Sequence, residues 1–557
     1  MTTTRLTTGL YRVTTSLIGV GLAALLSGCA ADRPTTAEGS PPPRTDVEGE
    51  TLEGAYFGET TAEVVFKGIP YAAPPVGDLR WKPPIPPSPR EGVQPALDYG
   101  LVCVQPPWNH AFARNIAGTF GSDPELVPPL AATSEDCLYL NVWSANFGKK
   151  DKLPVMVWIH GGSNIAGAGS EVPYDGAKLV AKGVVVVTIN YRLNIFGFLA
   201  HPALSLESPK GVSGNYGLLD QIAALEWVQR NIAAFGGDPS RVTVFGESAG
   251  ATDIGYLMVS PLAEGLFHRA ISQSGGYAVA DNRTLANEET RGVLLSDTLP
   301  IGEDADVLTA LRQADADELL KKAFEIFPKG LNSWPTADGW VLTELPGLAF
   351  EAGRQHDVPL LIGVNADEWT SLRYYTPDYD LDGYRAALSW TYGERADEAL
   401  SLYPAKSDED LQAATDRWMT DLVFVGPSTF MARWMDNVQS PTYFYVFSRR
   451  LPAPGGDELG AYHAAEIAYV WNNQDDEPWV PREEYDRQLA DIISEYWVRF
   501  ATAGDPNGAD LPVWPPFSSD SENYLELGDE IEAKTGYRTE ATDLYTSIIE
   551  ATLAGGR

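Results

Sequence analysis

A serine in the spacing Gly-x-Ser-x-Gly is the residue of this chain best suited to nucleophilic chemistry. Ser248 stands between Gly246 and Gly250, an apolar run of strand length (241–245) precedes it, and residues that can continue as a helix follow. In a turn from strand to helix, such glycines remove β-carbons that would clash with neighbouring backbone, and the hydroxyl is lifted clear of the main chain. The pattern predicts that Ser248 is a nucleophile, the alternative being an ordinary loop serine.

A serine nucleophile needs a base, and His463 is the best placed of the six histidines. It lies far downstream in a stretch of small residues, after a β-like run (443–447) and a loop rich in proline and glycine (452–456). A loop histidine that follows a strand is able to reach a serine from above the sheet. We therefore predict that His463 is the general base, the alternative being a surface histidine.

The base in turn needs an acid that orients it. The strand-like run 358–364 leads into Asp367 and Glu368. Carboxylates just past the end of a strand lie at the catalytic edge of a parallel sheet. Local chemistry does not choose between the two, and a pair of solvated loop carboxylates is the alternative for both.

Backbone donors for an oxyanion are predicted after a second buried strand. The apolar run 153–159 leads into His160, Gly161 and Gly162. Two adjacent glycines let backbone N–H groups converge on one point, as an oxyanion hole requires, whereas the alternative is a plain glycine turn. We predict that His160 braces this loop and does not transfer protons.

The elements that must position these groups follow from the apolar pattern. Runs such as 155–157 and 184–187 show no alternation of polar and apolar residues, as is typical of strands covered on both faces by helices. Helix-like patterns dominate 281–357 and 377–439, which we interpret as insertions that cap the site. The segment 492–500 is predicted to be a helix closed by a turn. A mostly parallel α/β sheet is the expected architecture.

At this point the chain resembles a known family, the type-B carboxylesterase/lipase group of the α/β hydrolases, which includes cholinesterases and bacterial para-nitrobenzyl esterases. The resemblance extends from about 66 to 517. The matching strings are FKGIPYA (66–72), PPVGDLRW (74–81), SEDCLYLNV (134–142), GNYGLLDQ (214–221) and FGGDP (235–239). It implies an α/β-hydrolase fold with a central twisted sheet, helices on both faces and helical cap insertions, in one domain from 51 to 557.

Carried over by position, the resemblance implies a catalytic triad of Ser248, Glu368 and His463, and so selects Glu368 over Asp367. It implies a serine carboxylesterase that forms an acyl-serine intermediate, with no cofactor and no metal. In agreement, the sequence holds no phosphate-binding loop, no His-Glu-x-x-His zinc motif and no dinucleotide fingerprint.

The resemblance also implies an oxyanion hole made by the N–H groups of Gly162, Ser163 and Ala249. The family usually has three glycines here, followed by an aromatic residue, where this chain has Ser163 and Asn164. Backbone donors survive such a change, and we expect a more polar acyl pocket with Asn164 in its wall.

Three further residues, Glu247, Trp369 and Trp108, are candidates near the pocket. Glu247 either places negative charge near the leaving group or hydrogen-bonds the turn. Trp369 and Ala464 stand where the family often has glycine, and Trp369 is expected to reshape the pocket wall. Cholinesterases use a tryptophan in their first disulfide loop to hold a quaternary cation, so Trp108 is interpreted either as an aromatic wall or as a packing residue.

The first residues predict export. Arg5 and Arg12 precede an apolar stretch (13–26) too short for a comfortable membrane span, and Leu-Ser-Gly-Cys ending at Cys29 resembles the bacterial lipobox. We predict a signal peptide over 1–29, lipidation of Cys29, and a flexible tether over 30–50. The chain would then be a bacterial cell-envelope lipoprotein, facing the periplasm or the surface, that meets the membrane only through its lipid anchor. Ordinary secretion is the alternative.

With Cys29 lipidated or removed, Cys103 and Cys137 remain as a pair. An even number of cysteines in an exported chain predicts a disulfide, and both positions match the family's first disulfide loop. Two buried free thiols are the alternative.

Composition narrows the class of partner. The chain has 557 residues, 44% of them hydrophobic, and 76 acidic against 40 basic residues give a formal charge of −36. This charge argues against nucleic acid or an anionic membrane surface as a partner. It either confers solubility or favours neutral and cationic substrates.

Two functions of different classes remain. The first is a serine esterase acting on small-molecule carboxylic esters, with carbamates, amides or polyesters as other acyl substrates. The second is a catalytically silent binding protein like the adhesion relatives of cholinesterases. Those relatives tend to lose the serine or the histidine, whereas this chain retains both, which favours the enzyme.

Overall fold

The computed structural model describes residues 40–301 and 306–556. The predicted signal peptide, Cys29 and the first part of the predicted tether lie outside the described residues. Among the helices within them, none combines the length and the apolar character needed to cross a membrane.

A mixed sheet is the centre of the fold. The strands of the described residues are β1 (Arg44–Val47), β2 (Glu50–Glu53), β3 (Ala55–Tyr56), β4 (Val64–Pro70), β5 (Val93–Pro95), β6 (Val102–Cys103), β7 (Thr133–Ser134), β8 (Tyr139–Ser144), β9 (Leu153–Ile159), β10 (Val185–Ile189), β11 (Gly237–Glu247), β12 (Arg269–Gln273), β13 (Leu360–Asn365), β14 (Thr442–Phe447), β15 (Asn523–Leu527) and β16 (Ile531–Thr535). Eleven of them form one sheet in the order β16-β15-β14-β13-β12-β11-β9-β10-β8-β4-β3.

The pairing confirms the predicted, mostly parallel sheet. Strands β10, β9, β11, β12, β13, β14 and β15 pair in parallel along the middle, while β8, β4 and β3 at one edge and β16 at the other are antiparallel. The parallel strands place their carboxyl ends at one edge of the sheet, which is where ligands bind in folds of this kind.

Helices cover both faces of this sheet. They are α1 (Trp108–Thr119), α2 (Ala177–Val180), α3 (Asn194–Phe198), α4 (Pro202–Glu207), α5 (Tyr216–Asn231), α6 (Ala249–Leu257), α7 (Leu285–Ser296), α8 (Val307–Gln313), α9 (Ala316–Ile326), α10 (Pro346–Glu351), α11 (Leu381–Tyr392), α12 (Ala396–Leu402), α13 (Asp408–Thr420), α14 (Gly426–Trp434), α15 (Gly456–Leu459), α16 (Ile467–Trp471), α17 (Glu484–Ala503) and α18 (Thr539–Gly556).

Strand β9 shows why an unbroken apolar run forms a strand that is covered on both faces. Val155 and Val157 pack into one apolar cluster with α5 and α6, whereas Met156 and Trp158 pack into a second cluster with α16 and α17. Because successive side chains of a strand point to opposite faces, an unbroken apolar run serves a strand that is buried on both sides.

The two segments interpreted as insertions are helical. Helices α7 to α10 lie between β12 and β13, and α11 to α14 lie between β13 and β14. A short π-helical segment, Asp421–Val425, joins α13 to α14. Single π-helical turns of this kind are frequent at functional sites.

Part of the predicted tether is not a free segment. Residues Arg44–Val47 form β1, which pairs antiparallel with β2, and β2 pairs with β5. Val47 is buried. Regular structure therefore begins before residue 51, because β1 gains backbone hydrogen bonds and buries an apolar side chain.

Candidate active site

The carboxyl edge of the sheet opens into a cavity of about 600 Å³. Ser248 follows β11, Glu368 follows β13, and His463 lies in the connection after β14. Ser248 and His463 both line the cavity, together with the loop that follows β9. The fold thus brings to one edge groups that are more than two hundred residues apart in sequence.

The turn at Ser248 explains the two flanking glycines. Ser248 has φ 55° and ψ −120°, a conformation that non-glycine residues rarely adopt. A β-carbon at Gly246 would lie 2.6 Å from the carbonyl oxygen of Ile159, and one at Gly250 would lie closer still. The glycines therefore let the turn approach β9, and Ser248 is partly exposed to the cavity.

His463 is oriented by a buried carboxylate. Its Nδ1 lies 2.6 Å from Oε2 of Glu368, and the Glu368 side chain has no solvent exposure. The other oxygen, Oε1, accepts hydrogen bonds from the hydroxyl of Ser274 at 2.6 Å and from the amide of Asn365 at 2.7 Å. Three donors thus hold Glu368 in place, which fixes the ring of His463 in turn.

The neighbouring acid has a different partner. Asp367 pairs with Arg450, with 2.9 Å between Oδ1 and Nη2, and accepts a hydrogen bond from the amide of Ala461. Asp367 therefore points to the surface, whereas Glu368 points to His463. This difference in direction resolves the choice between the two acids that the local sequence left open.

The second ring nitrogen of His463 lies close to another carboxylate, that of Glu247. Nε2 lies 3.2 Å from Oε1 of Glu247, which is buried and accepts no hydrogen bond from the described residues. Burial lowers the pKa of His463, but the charges of Glu247 and Glu368 outweigh it and raise the pKa to about 9. Burial raises the pKa of Glu247 to about 8. Within the described residues, the hydroxyl of Ser248 makes no hydrogen bond.

The loop after β9 presents backbone donors to the cavity. Gly162, Ser163 and Asn164 have consecutive positive φ angles of 105°, 59° and 56°. The amides of Gly162, Ser163 and Ala249 donate to no acceptor among the described residues. A β-carbon at Gly161 would lie 3.1 Å from Cβ of Ser248, which shows how closely the loop approaches the serine.

The expectation that Asn164 lines the pocket is wrong. Asn164 is completely buried, and its Nδ2 donates to Oδ1 of Asp253 on α6 at 3.0 Å. Its Oδ1 accepts from the hydroxyl of Tyr191 at 2.9 Å. The side chain satisfies its polar atoms within the protein, because the left-handed backbone of the loop turns it away from the cavity.

The two tryptophans both line the cavity. Trp108 lies at the start of α1 with its ring 5.1 Å from that of Phe324. Trp369 donates from Nε1 to the hydroxyl of Thr376 at 2.6 Å. Trp108 therefore combines the two roles that the sequence left open, a cavity wall and a packing contact.

His160 is buried beneath the same loop. Its ring stacks on Tyr191 with the centroids 4.5 Å apart, and burial lowers its pKa to about 4.

A disulfide joins Cys103 to Cys137. Within the described part of the chain, no group of three His, Cys, Asp or Glu side chains is placed to hold a metal ion.

Sequence reasoning missed three residues of this site. Ser274 contacts Glu368, Asp253 contacts the loop after β9, and Glu171 lines the cavity. Ser274 had a usable signal, since it directly follows β12 at the same edge as Ser248. Asp253 and Glu171 had none, because their contacts join segments distant in sequence.

Comparison with known proteins identifies the family of the chain. The sequence profile of the carboxylesterase family matches residues 42–545. Fumonisin B1 esterase of Sphingopyxis macrogoltabida is 40% identical, with 87% of each chain covered. Para-nitrobenzyl esterase of Bacillus subtilis (strain 168) is 37% identical over 84% of this chain and 91% of its own.

Solved structures lead to the same family. A para-nitrobenzyl esterase superposes with a TM-score of 0.77 at 34% identity, over 90% of this chain and 99% of the other. A carboxylesterase of Geobacillus stearothermophilus gives a TM-score of 0.76 at 33% identity, with the same coverage. The fold is that of the α/β hydrolases, and the chain belongs to the carboxylesterase family as a carboxylic ester hydrolase.

Proposed function

We propose that this esterase works through an acyl-serine intermediate, with Ser248 as nucleophile, His463 as general base and Glu368 as the acid that orients it. The observation that carries the proposal is the 2.6 Å contact between Nδ1 of His463 and Oε2 of Glu368, in a cavity that Ser248 also lines. Catalytic hydrogen bonds are often long before substrate binds, so the free hydroxyl of Ser248 fits this role.

In the first half of the reaction, the Ser248 oxygen attacks the ester carbonyl carbon while Nε2 of His463 takes the hydroxyl proton. The negative charge that forms on the carbonyl oxygen is held by the amides of Gly162, Ser163 and Ala249. Removing one donor of this type costs about 3 kcal/mol of transition-state stabilisation. The carbon–oxygen bond to the alcohol then breaks, and His463 returns the proton to the leaving alkoxide.

In the second half, water attacks the acyl-serine carbonyl and His463 takes a proton from it. The bond to Ser248 breaks, the serine oxygen regains the proton, and the carboxylic acid leaves. Glu368 stabilises the imidazolium in both halves and fixes its tautomer without itself taking a proton.

The same chemistry extends to carbamates, amides and polyesters, which share an attackable carbonyl. A catalytically silent binding role is disfavoured, because the nucleophile, the base and the free amides all face one cavity.

We further propose that the chain is exported and anchored through lipidated Cys29. The disulfide between Cys103 and Cys137 supports an oxidising compartment.

The mechanism is tested by labelling with an organophosphate, which phosphorylates an activated serine. We expect one equivalent of label on Ser248 together with loss of para-nitrobenzyl ester hydrolysis. The Ser248→Ala variant should take up no label and show no hydrolysis. Retained hydrolysis in that variant, or label on another serine, would contradict the proposal.

A further inference from the structure

Ser163 carries a hydroxyl that the proposed mechanism does not use. The residue lines the cavity together with Ser248, and its hydroxyl makes no hydrogen bond within the described residues. The next residue, Asn164, is completely buried and has its polar atoms paired inside the protein. The loop after β9 therefore turns one polar side chain inward and leaves the preceding one at the cavity.

Ser163 keeps this side chain in spite of its backbone conformation. Its φ of 59° lies in the left-handed region, which glycine enters at no steric cost and which residues with a β-carbon rarely adopt. Strained residues of this kind persist only where their surroundings hold them, and they cluster at active sites. The chain thus retains a hydroxyl at a position where the backbone alone favours glycine.

Contacts on both sides of Ser163 fix the loop. The carbonyl oxygen of Gly162 accepts hydrogen bonds from the amides of Ile165 and Ala166, both at 3.0 Å. The carbonyl oxygen of Ser163 accepts one from the hydroxyl of Ser333 at 3.4 Å. A donor on a loop held in this way needs little reorganisation during a reaction, which makes its stabilisation of a transition state effective.

The hydroxyl belongs to the same residue as one of the amides that we propose bind the oxyanion. The amide and the hydroxyl of a serine are close enough to share one partner, and the hydroxyl rotates to suit it. The loop also approaches the proposed nucleophile, since a β-carbon on Gly161 would lie 3.1 Å from Cβ of Ser248. Ser163 is therefore placed to donate twice to a charge that forms beside Ser248.

We propose that the hydroxyl of Ser163 donates a further hydrogen bond to the oxyanion, beside the amides of Gly162, Ser163 and Ala249. The inference rests on the proposed function, since it uses the oxyanion of that mechanism. The hydroxyl keeps its proton throughout, so it stabilises charge and transfers nothing. Because hydrogen bonds to charged oxygens are stronger than those to neutral ones, the contact strengthens as the oxyanion forms and so favours the transition state.

The test compares Ser163→Ala and Ser163→Gly with the wild type in hydrolysis of a para-nitrobenzyl ester. Both variants keep the backbone amide and lose the hydroxyl. Each should lower kcat by about tenfold or more and leave KM within about twofold, because the lost hydrogen bond is made to a charge that exists only in the transition state. Ser163→Gly also removes the strain of the positive φ, so its Tm should stay close to that of the wild type.

Inhibition by a trifluoromethyl ketone gives a second readout, which a purely structural role of Ser163 would not move in the same proportion. An activated serine attacks such a ketone and forms a stable tetrahedral oxyanion, so the adduct resembles the transition state. Its Ki should rise in both variants by the same factor by which kcat/KM falls. Inhibition by para-nitrobenzyl alcohol, which forms no oxyanion, should stay within about twofold.

Asn472→Gly is the matched control for a change of backbone strain. Asn472 also has a positive φ of 59° and does not line the cavity. Its replacement should leave kcat, KM and the Ki of the ketone unchanged. A loss of activity in Asn472→Gly equal to the loss in Ser163→Gly would assign the effect to the backbone and overturn the role of the hydroxyl.

Wild-type kcat in Ser163→Ala, or a fall in kcat/KM without a matching rise in the Ki of the ketone, would also overturn it. Either result would leave the proposed mechanism standing, provided that Ser248→Ala is inactive. Hydrolysis that survives in Ser248→Ala would remove the mechanism itself, and the contact of Ser163 with it.

Discussion

Nδ2 of Asn164 donates a 3.0 Å hydrogen bond to Oδ1 of Asp253, and this contact ties the loop after β9 to α6, the helix that begins directly after Ser248. Gln221 donates to the other oxygen of Asp253. A non-glycine residue with positive φ costs about 1 kcal/mol or more and persists only where its surroundings hold it. The buried contact provides that support next to the amides that we propose bind the oxyanion.

Asn164→Ala should therefore lower kcat with little change in KM. The loop would lose its tie to α6, and misplaced oxyanion donors cost about 100-fold in rate. Asn472→Ala is the control, because Asn472 also has a positive φ of 59° but does not line the cavity. Steady-state kinetics of both variants decide the matter, and a change in KM alone for Asn164→Ala would contradict this role.

Glu368→Gln should reduce kcat/KM by about 10⁴-fold, since an amide cannot stabilise the imidazolium and favours the wrong tautomer. The neighbouring Asp367→Asn should stay within a few-fold of the wild type, because Asp367 pairs with Arg450 and not with His463. Ser274→Ala removes one of the three hydrogen bonds to Glu368, so its kcat/KM should lie between the values of those two variants. Similar losses in Glu368→Gln and Asp367→Asn would show that the acid has been misassigned.

Glu247→Gln should move the acid limb of the pH–activity curve to lower pH. His463 must be neutral to accept a proton, so kcat/KM rises as pH increases through the pKa of the His463–Glu247 pair. A nearby carboxylate favours the imidazolium and raises this pKa, so removing the charge should lower it by about one unit. The curve is measured with a neutral ester, so that the charge of the substrate does not change with pH, and an unmoved limb would refute the coupling.

Replacing Cys103 and Cys137 together by alanine should lower the free energy of unfolding by about 3 kcal/mol, because the disulfide closes a loop across a separation of 34 residues. Urea titration of the variant and of the wild type, with and without reductant, measures this. The reduced wild type should match the variant. Equal stability of the oxidised wild type and the variant would show that the bond contributes nothing.

Cys29→Ser should release the protein from the membrane fraction of its bacterial host, because the serine cannot carry the thioether-linked lipid. Wild-type protein should sediment with membranes and label with radioactive palmitate. A variant that still sediments and is still acylated would remove the lipoprotein assignment, and a wild type found only in the soluble fraction would favour ordinary secretion.

Much of the site could be predicted from local sequence. Strand β9 and the turn at Ser248 follow from an unbroken apolar run and from the spacing of two glycines, both of which act over a few residues. The prediction for His463 needed only its position in a loop after a strand. The choice of Glu368 over Asp367 needed the family resemblance, because a direction of one side chain is not encoded in the two residues themselves.

The rest depends on contacts between distant segments. Asn164 was expected in the pocket because its neighbours are, yet the positive φ angles of the loop turn it towards Asp253, 89 residues along the chain. Glu171 gave no signal either, since its place in the wall depends on Asn109 and α1. Such pairings are set by tertiary packing and have no local periodicity.

The helical insertions after β12 and β13 build cavity walls without contributing a strand to the central sheet. Residues such as Trp334, Val423 and Phe424 line the cavity from these segments, while the proposed catalytic groups come from the connections after β11, β13 and β14. Under the proposed mechanism, substrate preference and bond-breaking chemistry are thus carried by separable parts of one polypeptide. Exchange of these helices between relatives offers a route, in evolution or in engineering, to new esters while the hydrolytic apparatus is inherited whole.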